Sequence, residues 1–139
     1  MRNFWKEFAV VILAFLVNAC DIGEDEVNYH FVTLQVLEVD MPEAFRLNET
    51  YEVGVTVLEP NDCTHFDGFN ISSEALTVRQ VVPIGTELDD QVCAEVISRN
   101  ETSFEFTCLY SEPYLFRFWT GENEEGVPQY LEIEVPVIP

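Results

Sequence analysis

Tyr51-Glu52-Val53-Gly54-Val55-Thr56-Val57 places an apolar side chain at every second position across seven residues. In an extended chain this period of two turns residues 51, 53, 55 and 57 to one face and their neighbours to the other, the pattern of a strand with one buried and one wet face. A helix would scatter the same residues around its circumference. The alternation recurs in Leu131, Ile133, Val135 and Val137 against Glu132 and Glu134, and in Phe104 and Phe106 against Glu105 and Thr107. Phe31–Val39, Leu76–Val82, Cys93–Ser98 and Tyr114–Trp119 are further strand candidates. Turn residues punctuate the series at Asp40-Met41-Pro42, Glu59-Pro60-Asn61-Asp62, Pro83-Ile84-Gly85, Arg99-Asn100-Glu101, Glu112-Pro113 and Gly121-Glu122-Asn123.

Beyond residue 26 no segment carries a capped 3.6-residue pattern, so the sequence predicts an all-β domain over residues 27–139. Seven to eight short strands with turn signals every 8–12 residues is the spacing of a two-sheet sandwich. The run Pro113-Tyr114-Leu115-Phe116-Arg117-Phe118-Trp119 sets a tyrosine at the entrance of an aromatic late strand, as a tyrosine corner does, and another alternating strand follows it. In strand count, spacing and this corner the chain resembles an immunoglobulin-like β-sandwich, although the Cys-Trp-Cys spacing of antibody domains is absent. The resemblance implies two packed sheets.

The first 19 residues read differently. Arg2 and Lys6 precede an uncharged apolar run, Phe8 to Val17, and Asn18-Ala19-Cys20 follows. Ten apolar residues are too few to span a bilayer, which takes about 20. A basic start, a short apolar run and a small residue before a cleavage point predict a helical signal peptide over residues 1–19. Leu16-Val17-Asn18-Ala19-Cys20 resembles the lipobox of bacterial lipoproteins. That resemblance implies cleavage before Cys20, lipidation of its sulfur and attachment to the membrane through the N-terminal lipid. Residues 20–26 would then be a lipidated acidic tether, with Asp21, Glu24, Asp25 and Glu26 resembling the export signal of surface-exposed outer-membrane lipoproteins. Like charges would keep that tether extended.

The chain has 139 residues with 26 acidic and 6 basic side chains, a formal net charge of −20. Loss of residues 1–19 would remove two bases and one acid, leaving Arg46, Arg79, Arg99 and Arg117 as the basic residues and no lysine. Such a charge repels phosphate backbones, so nucleic-acid binding is not expected. The 11 Phe, 5 Tyr and 2 Trp set the chain apart from an acidic disordered tail and supply a core.

With Cys20 assigned to lipid, Cys63, Cys93 and Cys108 remain. Export to an oxidising compartment predicts one disulfide and one spare thiol. Cys63 and Cys93 both follow turn signals, whereas Cys108 continues the apolar face of Phe104 and Phe106, so Cys63–Cys93 is the expected pair and Cys93–Cys108 its rival. A zinc set of Cys63, His65, Cys93 and Cys108 matches no common structural spacing, so no metal is expected. Calcium could use the acids of Glu87–Asp90 or Gly121–Gly126, but neither has the spacing of a twelve-residue calcium loop. Asn48, Asn70 and Asn100 head sequons and are read as turn residues in a bacterial chain.

Nucleophile-elbow, His-Glu-x-x-His and phosphate-loop motifs are absent, and with two histidines the chain is not expected to be an enzyme or to need a cofactor. Residues 61–70 read as a loop based on the disulfide, with His65, Phe66, Asp67 and Phe69 as its candidate recognition residues. The expected function is that of a non-enzymatic binding or structural module on the cell surface, its protein or glycan partner unspecified. A carbohydrate- or calcium-dependent binding module is the alternative, with a small carboxylate-based hydrolase behind it.

Overall fold

A computed structural model describes residues 26–139, and the expectations for residues 1–25, including the signal peptide and Cys20, lie outside that range. The described chain is all-β. Its strands are β1 (Tyr29–Thr33), β2 (Val36–Asp40), β3 (Phe45–Arg46), β4 (Thr50–Glu59), β5 (Thr64–Ala75), β6 (Val78–Leu88), β7 (Ser98–Thr107), β8 (Tyr114–Glu122), β9 (Pro128–Val135) and β10 (Val137–Ile138).

One sheet is β2-β4-β7, antiparallel throughout. The other contains β5, β6, β8, β9 and β1. Within it β6 pairs with β5 along one edge, while its other edge is shared end to end by β1 at residues 84–88 and β8 at residues 78–81. The β6–β8 pair is parallel. A parallel return needs a crossover, and β7 supplies it by running in the other sheet between them. A parallel ribbon of β3 and β10 completes the set.

The alternation of residues 51–57 is realised in β4, the central strand of its sheet, where Val53, Val55 and Val57 are fully buried. Tyr114, Phe116 and Phe118 of β8 face them in one core that also takes Leu34, Val36, Phe45, Val81, Cys108 and Val135. Burying one of these aliphatic or aromatic side chains is worth about 1.5–3 kcal/mol. Tyr114 carries a hydroxyl into this core and places it as acceptor for the backbone N–H of Leu109 at 3.3 Å and of Tyr110 at 3.2 Å. That is the geometry of a tyrosine corner: one side chain satisfies two donors of the preceding turn while its ring packs inside.

Several boundaries differ from the sequence expectation. Phe31–Val39 is two strands in different sheets, broken at Leu34-Gln35, where the Leu34 N–H donates to Pro83 of β6 and the Gln35 carbonyl accepts from Leu58 of β4. Burial still alternates through the break because periodicity reports side-chain faces and is blind to a change of hydrogen-bond partner. Leu76–Val82 holds a turn at its start, and Cys93–Ser98 is irregular up to Ser98, where β7 begins. Arg99-Asn100-Glu101 is no turn but part of β7, opposite Thr56, Val57 and Leu58. Pro83-Ile84-Gly85 likewise lies inside β6. With β3 and β10 the strands among the described residues number ten rather than seven or eight.

Gly85 is in β6 for a packing reason. A Cβ there would stand 2.7 Å from the His65 carbonyl oxygen, held in the β5–β6 ladder, and 2.9 Å from Leu34 Cδ1, held in the core. Gly68 on the neighbouring strand has nothing within 4 Å of the corresponding point. Gly85→Ala is therefore expected to destabilise the domain by about 1–3 kcal/mol through overpacking, with Gly68→Ala close to neutral. Urea unfolding of the two variants checks this, and equal midpoints would refute the close-packing account of Gly85.

Candidate functional site

The region singled out by sequence begins at the turn between β4 and β5. Asn61 organises it: its side-chain oxygen accepts from the Cys63 N–H and from the Thr64 hydroxyl, each at 2.9 Å. The turn delivers Cys63 into the core edge, where it is bonded to Cys93 with a Cα–Cα distance of 5.6 Å. The expected Cys63–Cys93 pair is thus present, and Cys108 is the buried free cysteine. Burial pushes the Cys108 thiol up, and the protonated sulfur donates to the Tyr110 carbonyl at 3.4 Å.

Residues 64–70 are strand rather than loop, the first half of β5 at one edge of its sheet. The register shifts between Phe66 and Gly68, leaving Asp67 at a bulge where its carboxylate accepts from the Thr86 hydroxyl. Phe66 and Phe69 sit with ring centroids 4.9 Å apart, and Phe69 reaches Phe104 of the opposite sheet at 5.2 Å. The two phenylalanines therefore pack against the core and are not free contact groups. His65 and Asp67 differ: His65 is exposed, its Nδ1 3.9 Å from Glu59. Of the four candidate recognition residues, the fold divides two aromatics facing in from two polar groups at the strand's outer side.

An open aromatic surface lies elsewhere. Phe31, Val32, Leu34, Gln35, Leu58 and Trp119 line part of a groove of about 580 Å³ where β1 and β8 part along β6, with Glu87 as its carboxylate. Phe31 is 68% exposed, and Tyr29 packs edge-on against it at 5.8 Å. Alternation correctly marks Phe31 and Trp119 as strand residues, yet that both line one groove depends on β1 and β8 sharing β6, which no local pattern reveals. A second trough, of about 450 Å³, crosses the outer face of β2-β4-β7 over Gly54 and Thr56, between Glu38, Asp40, Glu52 and Glu101.

The acidic clusters are absorbed by the fold in part. His30 Nδ1 stands 2.7 Å from Asp89 and its Nε2 3.7 Å from Glu87, while Asn28 donates to Asp90 at 3.3 Å. In the β8–β9 turn the Asn123 side chain accepts from the N–H groups of Glu125 and Val127, and Gly126 takes a positive φ of 77°. Cys108 and His65 do not join Cys63 and Cys93 as a zinc set. Among the described residues, the group whose potential ligand atoms converge is Asp62, Cys63 and Cys93.

The four arginines among the described residues hold structure. Arg46 donates to the Pro139 backbone oxygen at 2.6 Å, and Arg79 donates to the carbonyls of Ala75, Leu76 and Val78 across the β5–β6 turn. Arg99 bridges to Glu38 at 3.1 Å, and Arg117 bonds Glu132 at 3.1 Å with its guanidinium 4.3 Å above the Tyr130 ring. Exposed pairs of this kind contribute little singly, but they leave the surrounding acids without a competing cation.

Comparison with protein-family models, curated proteins and solved structures finds no match for this chain. The disulfide is the covalent feature on which the region depends. Its reduction, or Cys63→Ser with Cys93→Ser, is expected to remove about 3–4 kcal/mol of stability in the chain-entropy model for a loop of this size. Denaturant titration with and without reductant tests this, and coincident curves would show that the bond contributes nothing.

Proposed function

We propose that this protein is a membrane-anchored lipoprotein of the bacterial cell surface that acts as a non-enzymatic binding or structural module. The observation that carries the reading is the order of segments in the chain: basic start, short apolar run, Cys20, an acidic stretch, and then a strand-patterned domain. The described residues support the last part, since strands begin at Tyr29, nine residues beyond Cys20. The domain itself is proposed to be an immunoglobulin-like sandwich. Support comes from the antiparallel β4–β7 ladder and the tyrosine corner at Tyr114. The parallel β6–β8 pair departs from the antiparallel sheets of that family and would make this a variant of it.

Anchoring is tested by mass spectrometry of the chain purified from bacterial membranes. The expected mature N-terminus is an acylated Cys20, and Cys20→Ser is expected to leave the chain unlipidated. An unmodified Cys20 in the wild-type protein would sink the lipoprotein reading and the surface assignment with it.

The groove between Phe31 and Trp119 favours a second reading, a carbohydrate-binding module. Sugar rings present apolar C–H faces that stack on exposed aromatic rings, and Gln35, Thr33 and Glu87 place hydrogen-bonding groups in the same groove. Trp119→Ala is expected to abolish glycan binding while leaving the circular dichroism spectrum unchanged. A glycan screen in which wild type and variant bind alike would remove this reading.

A further inference from the structure

We propose that the trough on the outer face of β2-β4-β7 is a binding site for a linear polyamine, a flexible alkyl chain carrying several ammonium groups. It stands apart from the groove of Phe31 and Trp119 and from the disulfide, and strand register builds it. Asp40 and Ser103 lie opposite Gly54 on either side, and Glu38 and Glu101 lie opposite Thr56. Glu52, two residues before Gly54 on β4, lines the trough as well. Neighbouring strands stand about 4.8 Å apart, so the backbones of β2 and β7 flank the trough at a separation of about 10 Å. Gly54 supplies the floor. A Cβ there would come within 3.2 Å of Asp40 Cβ and 4.0 Å of Asp40 Oδ2, so the absent methyl leaves room beside that carboxylate. The volume of about 450 Å³ falls within the range of about 300–1,000 Å³ usual for small-molecule sites.

A polar group without a partner sets this trough apart from a merely solvated face. Thr56 is only 9% exposed, yet its hydroxyl makes no hydrogen bond with any described residue. Among the described residues no side-chain oxygen or nitrogen sealed from solvent lacks a partner, so this hydroxyl keeps an open side, and Thr56 opens onto the trough. A hydroxyl so deep in the floor costs stability unless something bonds to it.

The charge of the lining selects the ligand. Four carboxylates and no basic side chain line the trough. Arg99, bonded to Glu38 at 3.1 Å, neutralises one corner, while Asp40, Glu52 and Glu101 form no ion pair with a described residue. A metal ion is too small for this arrangement. Calcium must touch its oxygens at about 2.3–2.6 Å, and no three of these carboxylates bring ligand atoms within 4.8 Å of one another. An alkylammonium chain instead spreads its charge along its length. Its N–H groups can donate to Asp40, Glu52, Glu101 and the Thr56 hydroxyl in charge-assisted hydrogen bonds, with its methylenes over Gly54.

The test is isothermal titration calorimetry of the full chain with spermidine at physiological ionic strength. One equivalent is expected to bind. Asp40→Asn and Glu101→Gln should each weaken binding about tenfold or more, and Thr56→Val about fivefold or more, since each removes an acceptor for a charged donor. Thr56→Val keeps the shape of the side chain and removes an unpaired hydroxyl, so its urea midpoint should be no lower than that of wild type. Glu124→Gln combined with Glu125→Gln removes more charge than any of these, from the β8–β9 turn, and should leave the affinity unchanged. Equimolar Ca²⁺ should not displace spermidine. Binding that does not saturate at one equivalent, equal weakening by the Glu124 and Glu125 changes, displacement by equimolar Ca²⁺, or Thr56→Val at wild-type affinity or with a lowered midpoint would each overturn the proposal.

Discussion

The two larger sheets are joined through a cluster of aromatic rings, and the rest of the molecule depends on that cluster closing. Phe45 sits at its centre, with ring centroids 4.9 Å from Tyr51, 5.1 Å from Phe106, 5.9 Å from Tyr114 and 6.0 Å from Phe116. Phe106 and Phe116 lie in opposite sheets and meet edge to face at 5.1 Å. Each such pair adds about 0.5–1.5 kcal/mol beyond the area it buries. Phe45 comes from the two-residue β3, whose backbone is held parallel to β10. A very short ribbon thus delivers the ring that stitches the sheets. Tyr51 shows the cost of tying polar groups to this edge: loss of solvation raises its phenol above the ordinary value, the hydrogen bond it donates to Glu49 adds to the rise, and the Arg46 backbone N–H that it accepts opposes it.

Charge is organised around this core by exclusion. In β4, β8 and β9 Glu52, Arg117, Glu132 and Glu134 take positions that alternate with the buried residues, so a large negative charge coexists with a dry interior. Edge strands carry much of it. β7 borders solvent along one side and places Arg99, Glu101 and Glu105 on its wet face, an arrangement that discourages pairing with another chain. Glu52 and Glu105 lie directly opposite one another. Like charges in that position cost some stability, which the Val53–Phe104 pair beside them helps to offset.

What could be read along the chain was the parity of side chains and the chemistry of a few residues. The strand faces of β4, β8 and β9 follow from alternation, as does the buried position of Cys108, because burial parity is a property of neighbouring residues. The Cys63–Cys93 pairing was legible as well, since both cysteines follow turn signals. Arg99-Asn100-Glu101 and Pro83-Ile84-Gly85 misled for one shared reason. Polar, proline and glycine residues mark turns when nothing else acts on them, but a ladder partner on β4 holds the first run extended and close packing against Leu34 demands glycine in the second.

The sequence by itself determined that this chain forms strands, that an acidic, aromatic-rich domain follows a short apolar run, and which faces of β4, β8 and β9 turn inward. Those outcomes depend on interactions between residues one or two positions apart. Only the tertiary structure decided that β1 and β8 share one edge of β6, that Phe66 and Phe69 are packed rather than presented, and that Phe31, Trp119 and Glu87 line a common groove. It also brought Asp62 to Ala94 and so to both cysteines of the disulfide. The reason is that strand order and sheet crossing are fixed by long-range backbone pairing and by the fit of rings in one core, and neither leaves a periodic trace in the chain.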